Sequence, residues 1–285
     1  MQYATSRCIN CNSNQFLFLY KKNNFNILKC NRCRLVFTDI PAGYDIKKLY
    51  GEGYFNGKQP DGYTNYKGSE NVLRKEFCKN VAVLRKLTNY RENLRLLEVG
   101  SAFGYFLDEA RQYFDCNGIE ISEEAVKYAG ERGHNIYCGE INEELLKRIG
   151  SFDIVAMFDV IEHLPNPIET LSLLDKYLES GGLFLVVTGD IDSVPAKIMK
   201  RRWRLMTPPQ HTCFFSKGTL TRVFRELNYD IIKKDRPWKF VPLGLVFYQL
   251  GSWLGVRITW LEKLNKQGVY LNLFDTVRIA AQKRI

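Results

Sequence analysis

The chain has 285 residues, enough for one large core or two smaller ones, and its 45% hydrophobic and 13% aromatic content excludes a disordered polymer. The formal net charge of +10 calls for an anionic partner: nucleic acid, a membrane face or a phosphorylated substrate. The start, M-Q-Y-A-T-S-R-C, lacks the apolar run of a signal peptide and predicts a cytoplasmic protein. In that compartment the eight cysteines are thiols or metal ligands rather than disulfides.

Residues 1–40 carry two C-x-x-C pairs, Cys8/Cys11 and Cys30/Cys33, with 18 residues between the pairs. This spacing fits a four-thiolate zinc site, and the alternating F-L-F-L-Y and F-N-I-L-K segments between them read as a hairpin. About 40 residues bury too little to fold alone, and a zinc ion supplies the missing stability. Four thiolates leave no open position, so the zinc is structural. Cys78, Cys116, Cys138 and Cys213 show no pairing and read as small buried apolar residues.

Residues 41–90 begin with a Tyr/Gly-rich stretch, Tyr44 to Gly57, whose bland reading is a linker. Val72, Leu73, Phe77, Val81, Leu84 and Leu87 then follow helical spacing and predict a helix ahead of the main sheet. Residues 91–285 alternate strand and helix. A strand over Leu94 to Val99 enters the turn E-x-G-x-x-x-G (Glu98, Gly100, Gly104), a helix over about Phe103 to Phe114 follows, and the next strand ends on Glu120. The acid lies where a Rossmann-type site meets ribose hydroxyls, but no third glycine supports a pyrophosphate, so a nucleoside without one fits better than NAD. Ser122 with Glu123 and Glu124 caps a further helix ending at Gly133. His134 to Cys138 and Asp153 to Phe158 are strands, the second apolar enough to be buried on both faces. Pro167 opens a helix through Leu178, Gly181 and Gly182 close it, and Leu183 to Thr188 is the next strand. A helix over Leu220 to Leu227 and strands over Tyr229 to Lys233 and Asp275 to Ala281 complete a doubly wound α/β pattern.

The glycine turn, Glu120, F-D-I-V-A-M-F-D-V-I-E-H-L-P-N-P (Phe152 to Pro167) and P-P-Q-H-T-C-F-F-S (Pro208 to Ser216) occur in this order over most of the chain. Together they resemble class I S-adenosylmethionine (SAM) methyltransferases, of the subgroup with an N-terminal zinc ribbon that often modifies sugars. The resemblance implies a Rossmann-like seven-stranded mixed sheet with its last strand antiparallel. It implies an acceptor-binding insertion around 189–216 and a helical, basic cover around 237–268. It also places the 41–90 segment over the active site, where Tyr54 and Phe55 form part of a lid.

Methyl transfer from a sulfonium is an in-line displacement that needs alignment and a deprotonated acceptor. By the resemblance, Glu98 contacts the methionine amino end, Gly100 and Gly104 admit the cofactor, and Ser101 and Ala102 line the turn. Glu120 takes the ribose hydroxyls, with Ile121 beside it, and Glu140 stands near the adenine amino group where the family commonly has Asp. Phe158 and Asp159 end the fourth strand of the sheet and meet the methionine part. His211, in the proline-fixed loop, resembles the general base, and its neighbour Gln210 faces the acceptor; His163 is the competing base. Lys197 to Met206 places five cations around Trp203. These form either a solvated helical face or a phosphate site in which Arg201 and Arg202 bind and Trp203 stacks.

The leading expectation is therefore methyl transfer to an oxygen or carbon of a nucleotide-linked sugar or surface glycan, an anionic acceptor. The alternative is methylation of a lipid- or quinone-type molecule, with peripheral contact at the inner membrane face. Phe240 to Val256 is too short, and too broken by Pro242, Gln249 and glycines, to span a bilayer. It reads as helical packing in the cover or, with Arg257, as a peripheral contact. RNA methylation is disfavoured, because no N-P-P-F/Y or D-P-P-Y segment is present.

Overall fold

The computed structural model describes residues 7–46, 49, 66–243 and 267–285. The N-terminal segment folds as β1 (Phe16–Lys22), β2 (Phe25–Cys30) and β3 (Val36–Asp39). Asn23 (φ +47°) and Asn24 (φ +66°) make the two-residue turn between β1 and β2, a left-handed pair that matches the twist of a hairpin. Helix α1 (Glu70–Leu87) buries Val72, Val81 and Leu84, the stripe predicted from its spacing.

The main sheet then grows in chain order. Its first elements are β4 (Arg95–Val99), α2 (Tyr105–Ala110), β5 (Asp115–Glu120), α3 (Glu123–Glu131), β6 (Ile136–Cys138) and α4 (Glu143–Ile149). There follow β7 (Phe152–Phe158), α5 (Pro167–Asp175), β8 (Leu178–Gly189) and α6 (Val194–Met199). The chain ends with β9 (Cys213–Phe214), α7 (Lys217–Glu226), β10 (Tyr229–Asp235), β11 (Lys239–Pro242), β12 (Gly268–Leu271) and β13 (Thr276–Lys283). Ser122 caps α3 by accepting from the Ala125 N–H, and Ser216 with Thr219 forms a capping box on α7.

Seven strands run in the order β10-β13-β8-β7-β4-β5-β6. The β4, β5, β6, β7 and β8 strands are parallel, and β13 is antiparallel to both its neighbours. From β4 the chain moves outward through β5 and β6, then returns to β7 on the other side. This reversal opens the crevice above the carboxyl ends of β4 and β7 in which α/β sheets bind ligands.

Some predicted boundaries differ. Gly181 and Gly182 do not close a helix; α5 ends at Asp175, and β8 starts at Leu178 and carries the glycines in a bulge where Phe152 pairs with Leu178 but Ile154 pairs with Leu183. The start of the predicted helical cover is also a strand: β11 pairs with β12, and the Phe240 N–H donates to Glu76 of α1 at 2.8 Å. Tyr54, Phe55 and residues 244–266, including most of the apolar segment and Arg257, lie outside the described residues. No helix among the described residues is long and apolar enough to cross a membrane.

The N-terminal sheet is completed by β9 from the far end of the chain, with Val36 opposite Phe214 and Phe37 opposite Cys213. Leu28, Leu35 and Phe37 share one buried cluster with Val155, Met157, Phe215 and Leu220, so the hairpin packs onto the main core.

Candidate active site and cysteine cluster

The carboxyl ends of β4, β5 and β7 bring Glu98, Glu120, Phe158 and Asp159 to one edge of the sheet. The turn after β4 needs glycine twice. A Cβ on Gly100 (φ +70°) would lie 2.5 Å from Val160 Cγ2, and one on Gly104 (φ +77°) would lie 2.7 Å from His134 Cδ2. Ala102 holds φ +45° between them, with its N–H donating to Glu120 Oε2 at 2.9 Å. The Ser122 N–H donates to Glu120 Oε1, also at 2.9 Å. Glu120 thus clamps the turn, and each oxygen keeps a second lone pair for a ligand hydroxyl. Burial pushes its carboxyl above the usual range, opposed by these N–H groups.

Beneath the turn, Glu98 Oε2 and Ser101 Oγ are buried without a hydrogen-bond partner among the described residues. Each such atom costs roughly 1–3 kcal/mol, so two at one turn fit a place completed by the polar end of a bound molecule. Burial, and then the charge of Glu120, pushes the Glu98 carboxyl well above its ordinary value. Phe158 packs on Phe106 at 4.7 Å and on Phe77 at 5.6 Å between ring centroids. Asp159 (φ +53°) accepts from Lys239 Nζ at 2.7 and 3.0 Å, which ties β11 to the end of β7. Glu140, just past β6, is exposed, and Ile121 is 40% exposed. His134 belongs to a support network instead: it and Arg132 both bond the buried Asp108, beside Glu70 and Arg74.

Across the crevice, the helical turn Ile161–His163 meets the loop before β9. The His163 and His211 rings stand edge to face, 4.5 Å between centroids and 89° between planes. His163 Nδ1 lies 3.1 Å from the Gln210 carbonyl oxygen. A carbonyl only accepts, so Nδ1 carries the proton and Nε2 is the basic nitrogen. The loop is strapped from both sides. Thr38 Oγ1 of β3 donates to the His211 carbonyl at 2.7 Å, the Thr212 N–H donates to the Glu162 carbonyl at 2.8 Å, and Thr212 Oγ1 donates to the Leu164 carbonyl at 2.6 Å. Burial lowers His163 to about 4; burial and then the neighbouring His163 hold His211 well below its ordinary value. Both imidazoles are therefore neutral at pH 7. Burial, followed by the Asp159 charge, pushes Glu162 up to about 7.

Trp203 does not present a stacking face. It is 3% exposed, packs with Ile27, Val36, Met206 and Phe214, and its Nε1 donates to Asp275 Oδ2 at 3.0 Å. Arg204 forks onto the same carboxylate at 2.9 and 3.0 Å, whereas Arg201 and Arg202 are exposed on the surface. Sequence reasoning missed Glu162 and Lys239. Glu162 stood in the quoted E-H pair, a signal that was available; Lys239 lies 80 residues from Asp159 and no local pattern points to it.

The four cysteine sulfurs lie within 4.8 Å of one another, with Cys8 to Cys33 and Cys11 to Cys30 each 3.5 Å. A tetrahedral zinc with ~2.3 Å bonds sets sulfurs about 3.8 Å apart, so the donor set and spacing fit that ion. Left-handed Asn12 (φ +56°) and Arg34 (φ +69°) turn the two loops back, each with its N–H on the carbonyl of the first cysteine of its pair, Cys8 or Cys30. Of the other four cysteines only Cys213 is buried; Cys78 and Cys138 are exposed, which corrects their reading as core residues.

A family model described as a methyltransferase domain matches residues 71–234. The ubiquinone biosynthesis O-methyltransferase of Caulobacter sp. (strain K31) is 36% identical over 104 residues, which cover 34% of this chain and 41% of that protein. The protein of the same name from Nitrosococcus oceani is 29% identical over 119 residues, 39% of this chain and 48% of its own. The chain thus matches less than half the length of these two relatives. Among solved structures, the plantazolicin methyltransferase BpumL in complex with SAH superposes with TM-score 0.52 at 17% identity, covering 84% of this chain and 98% of its own. The YcgJ protein of Bacillus subtilis gives TM-score 0.50 at 17% identity, covering 72% and 98%. At these identities the structures speak for the fold alone. The relatives' names overturn the expectation of a sugar acceptor, since they denote O-methylation in ubiquinone biosynthesis. Because the family match runs from α1 through the crevice into β10, the chain belongs to the methyltransferase-domain family.

Proposed function

We propose that this chain transfers a methyl group from SAM to a hydroxyl oxygen of a quinone-type, lipid-like small molecule. The observation that carries the reading is the pairing of two half-sites across one crevice. On one side is a turn with orphaned buried polar atoms and the buried carboxylate that clamps it. On the other are two imidazoles held neutral. The O-methyltransferase names of the relatives support a hydroxyl acceptor.

In this reading Glu98 and Ser101 receive the methionine end, Glu120 the ribose hydroxyls, and Glu140, at the exposed end of β6, the adenine edge. A phenolic hydroxyl has a pKa near ~10 and must lose its proton to attack well. The lone pairs of His163 and His211 lower the cost of that loss, while Lys239 on Asp159 ties β11 to the end of β7. The oxygen then displaces the sulfonium in line. Cys8, Cys11, Cys30 and Cys33 hold a structural zinc that fixes β2 and β3.

The test is methyl transfer from labelled SAM to a panel of hydroxylated aromatic isoprenoids, with nucleotide sugars and RNA alongside. Turnover confined to the hydroxylated aromatics is expected. Transfer only to RNA or to none of the panel, from protein that binds SAM, sinks the acceptor assignment.

A further inference from the structure

We propose that α7 and the edge strand β10 form a binding groove for a diphosphate-bearing small molecule, outside the methyl-transfer crevice. The inference goes beyond the methyl-transfer reading and does not depend on it. The groove has a volume of about 610 Å³ and brings Lys217, Arg222 and Arg225 of α7 together with Lys234 of β10; Glu226 is the one acid in its lining. None of these residues belongs to either half-site of the crevice.

Three features argue against an ordinary solvated face. First, the charge is uncompensated: among the described residues Lys217, Arg225 and Lys234 make no ion pair. The acids along β10 and at the end of β8 are taken by other cations, Asp230 by Arg284 at 2.8 and 3.0 Å, Asp235 by Arg278 and Lys233, and Asp190 by Arg236. Second, Arg222 and Arg225 stand three positions apart on one helix, a spacing at which like charges repel, so an anion between them relieves a built-in strain. The first turn of α7 has no acid either; Lys217 stands where an acid would complement the helix dipole. Third, Arg222 Nη1 donates to the Cys33 carbonyl at 3.3 Å, which holds that guanidinium at the rim instead of leaving it free in solvent.

Two guanidiniums match phosphate oxygens in forked pairs, and two lysines add point charges. A single phosphate leaves part of four cations unanswered, whereas two linked phosphates reach both guanidiniums. The volume is that of a small-molecule site, within the usual ~300–1,000 Å³. A nucleic-acid track needs cations that continue past the groove, and here they stop. Along α7 the next residue is Glu226, and along β10 Lys233 is paired with Asp235 at 3.1 Å. A ligand that grips Arg222 also braces α7 against the loop of Cys33.

The test is calorimetry on the full chain with inorganic pyrophosphate as the probe, at low and high salt. Wild type is expected to bind one pyrophosphate per chain, more weakly at high salt, and inorganic phosphate about tenfold more weakly still. The double variant Arg225→Gln/Lys234→Gln should lose about tenfold or more in pyrophosphate affinity with SAH affinity unchanged, which also shows that it folds. Arg201→Gln/Arg202→Gln, which removes two exposed cations on another face, should bind pyrophosphate as wild type does. The proposal is overturned by no binding of pyrophosphate, by equal affinity for phosphate, or by a loss confined to the second variant. Binding of single-stranded RNA or of anionic phospholipid vesicles without binding of pyrophosphate overturns it as well. The probe carries no methyl acceptor, so failed turnover on hydroxylated aromatics leaves the groove standing, and a silent groove leaves the methyl-transfer reading intact.

Discussion

The two halves of the crevice are assembled in opposite ways. The half proposed for the cofactor is one continuous stretch: Glu98, the glycine turn, Glu120 and Ser122 lie within 25 residues, and its clamp bonds span 18 and 2 positions. The acceptor half is a junction of distant segments. Thr38 reaches His211 across 173 positions, His163 reaches Gln210 across 47, and Lys239 reaches Asp159 across 80. A βαβ unit builds its ligand turn from local backbone geometry, so its residues can be read in order. A site made by docking four segments depends on each of them folding first. Damage to the N-terminal sheet should therefore reach the acceptor half and spare the cofactor half.

The largest expected effect separates the halves directly. His211→Ala removes an acceptor-side nitrogen and should lower single-turnover rates by roughly 10²–10⁴-fold, with SAM affinity by calorimetry unchanged. A wild-type rate would mean that alignment alone carries the reaction. Next, Cys30→Ser should abolish the metal binding proposed for the cysteine cluster and loosen β2 and β3. Because β3 positions His211 through Thr38, turnover should fall by about 10²-fold, the cost of a misplaced catalytic group, again without loss of SAM affinity. An equal loss of SAM binding would show that the two halves do not fold independently.

Glu120→Ala attacks the other half. It removes the hydroxyl acceptors and the clamp on Ala102, and should weaken SAM by roughly 1.5–3 kcal/mol while the metal content stays constant. Unchanged affinity would place the cofactor elsewhere. The smallest effect belongs to Thr38→Val, which deletes one buried hydrogen bond to the His211 carbonyl and should cost about 1 kcal/mol in chemical denaturation. Combined with His211→Ala it should lower turnover no further than His211→Ala alone, because the two act through one element; additive losses would break the proposed link.

Much of this molecule was written in its sequence. Continuous apolar strands, helix caps at Ser122 and Pro167, and the E-x-G-x-x-x-G turn set the seven-stranded alternation and the geometry of the turn proposed for the cofactor, because these patterns are local consequences of backbone geometry. The paired cysteines likewise came together as their spacing required. Tertiary structure decided the rest. It drew Trp203 into the core, because Asp275 from β13's approach takes its N–H and buried neighbours enclose its ring. It turned Gly181 and Gly182 from a helix stop into a bulge, because β8 begins earlier to pair with Phe152. It also joined β9 to β3, setting His211 against His163 and Glu162. No spacing rule encodes that contact, since it forms only when hydrophobic burial packs the N-terminal sheet onto the main core.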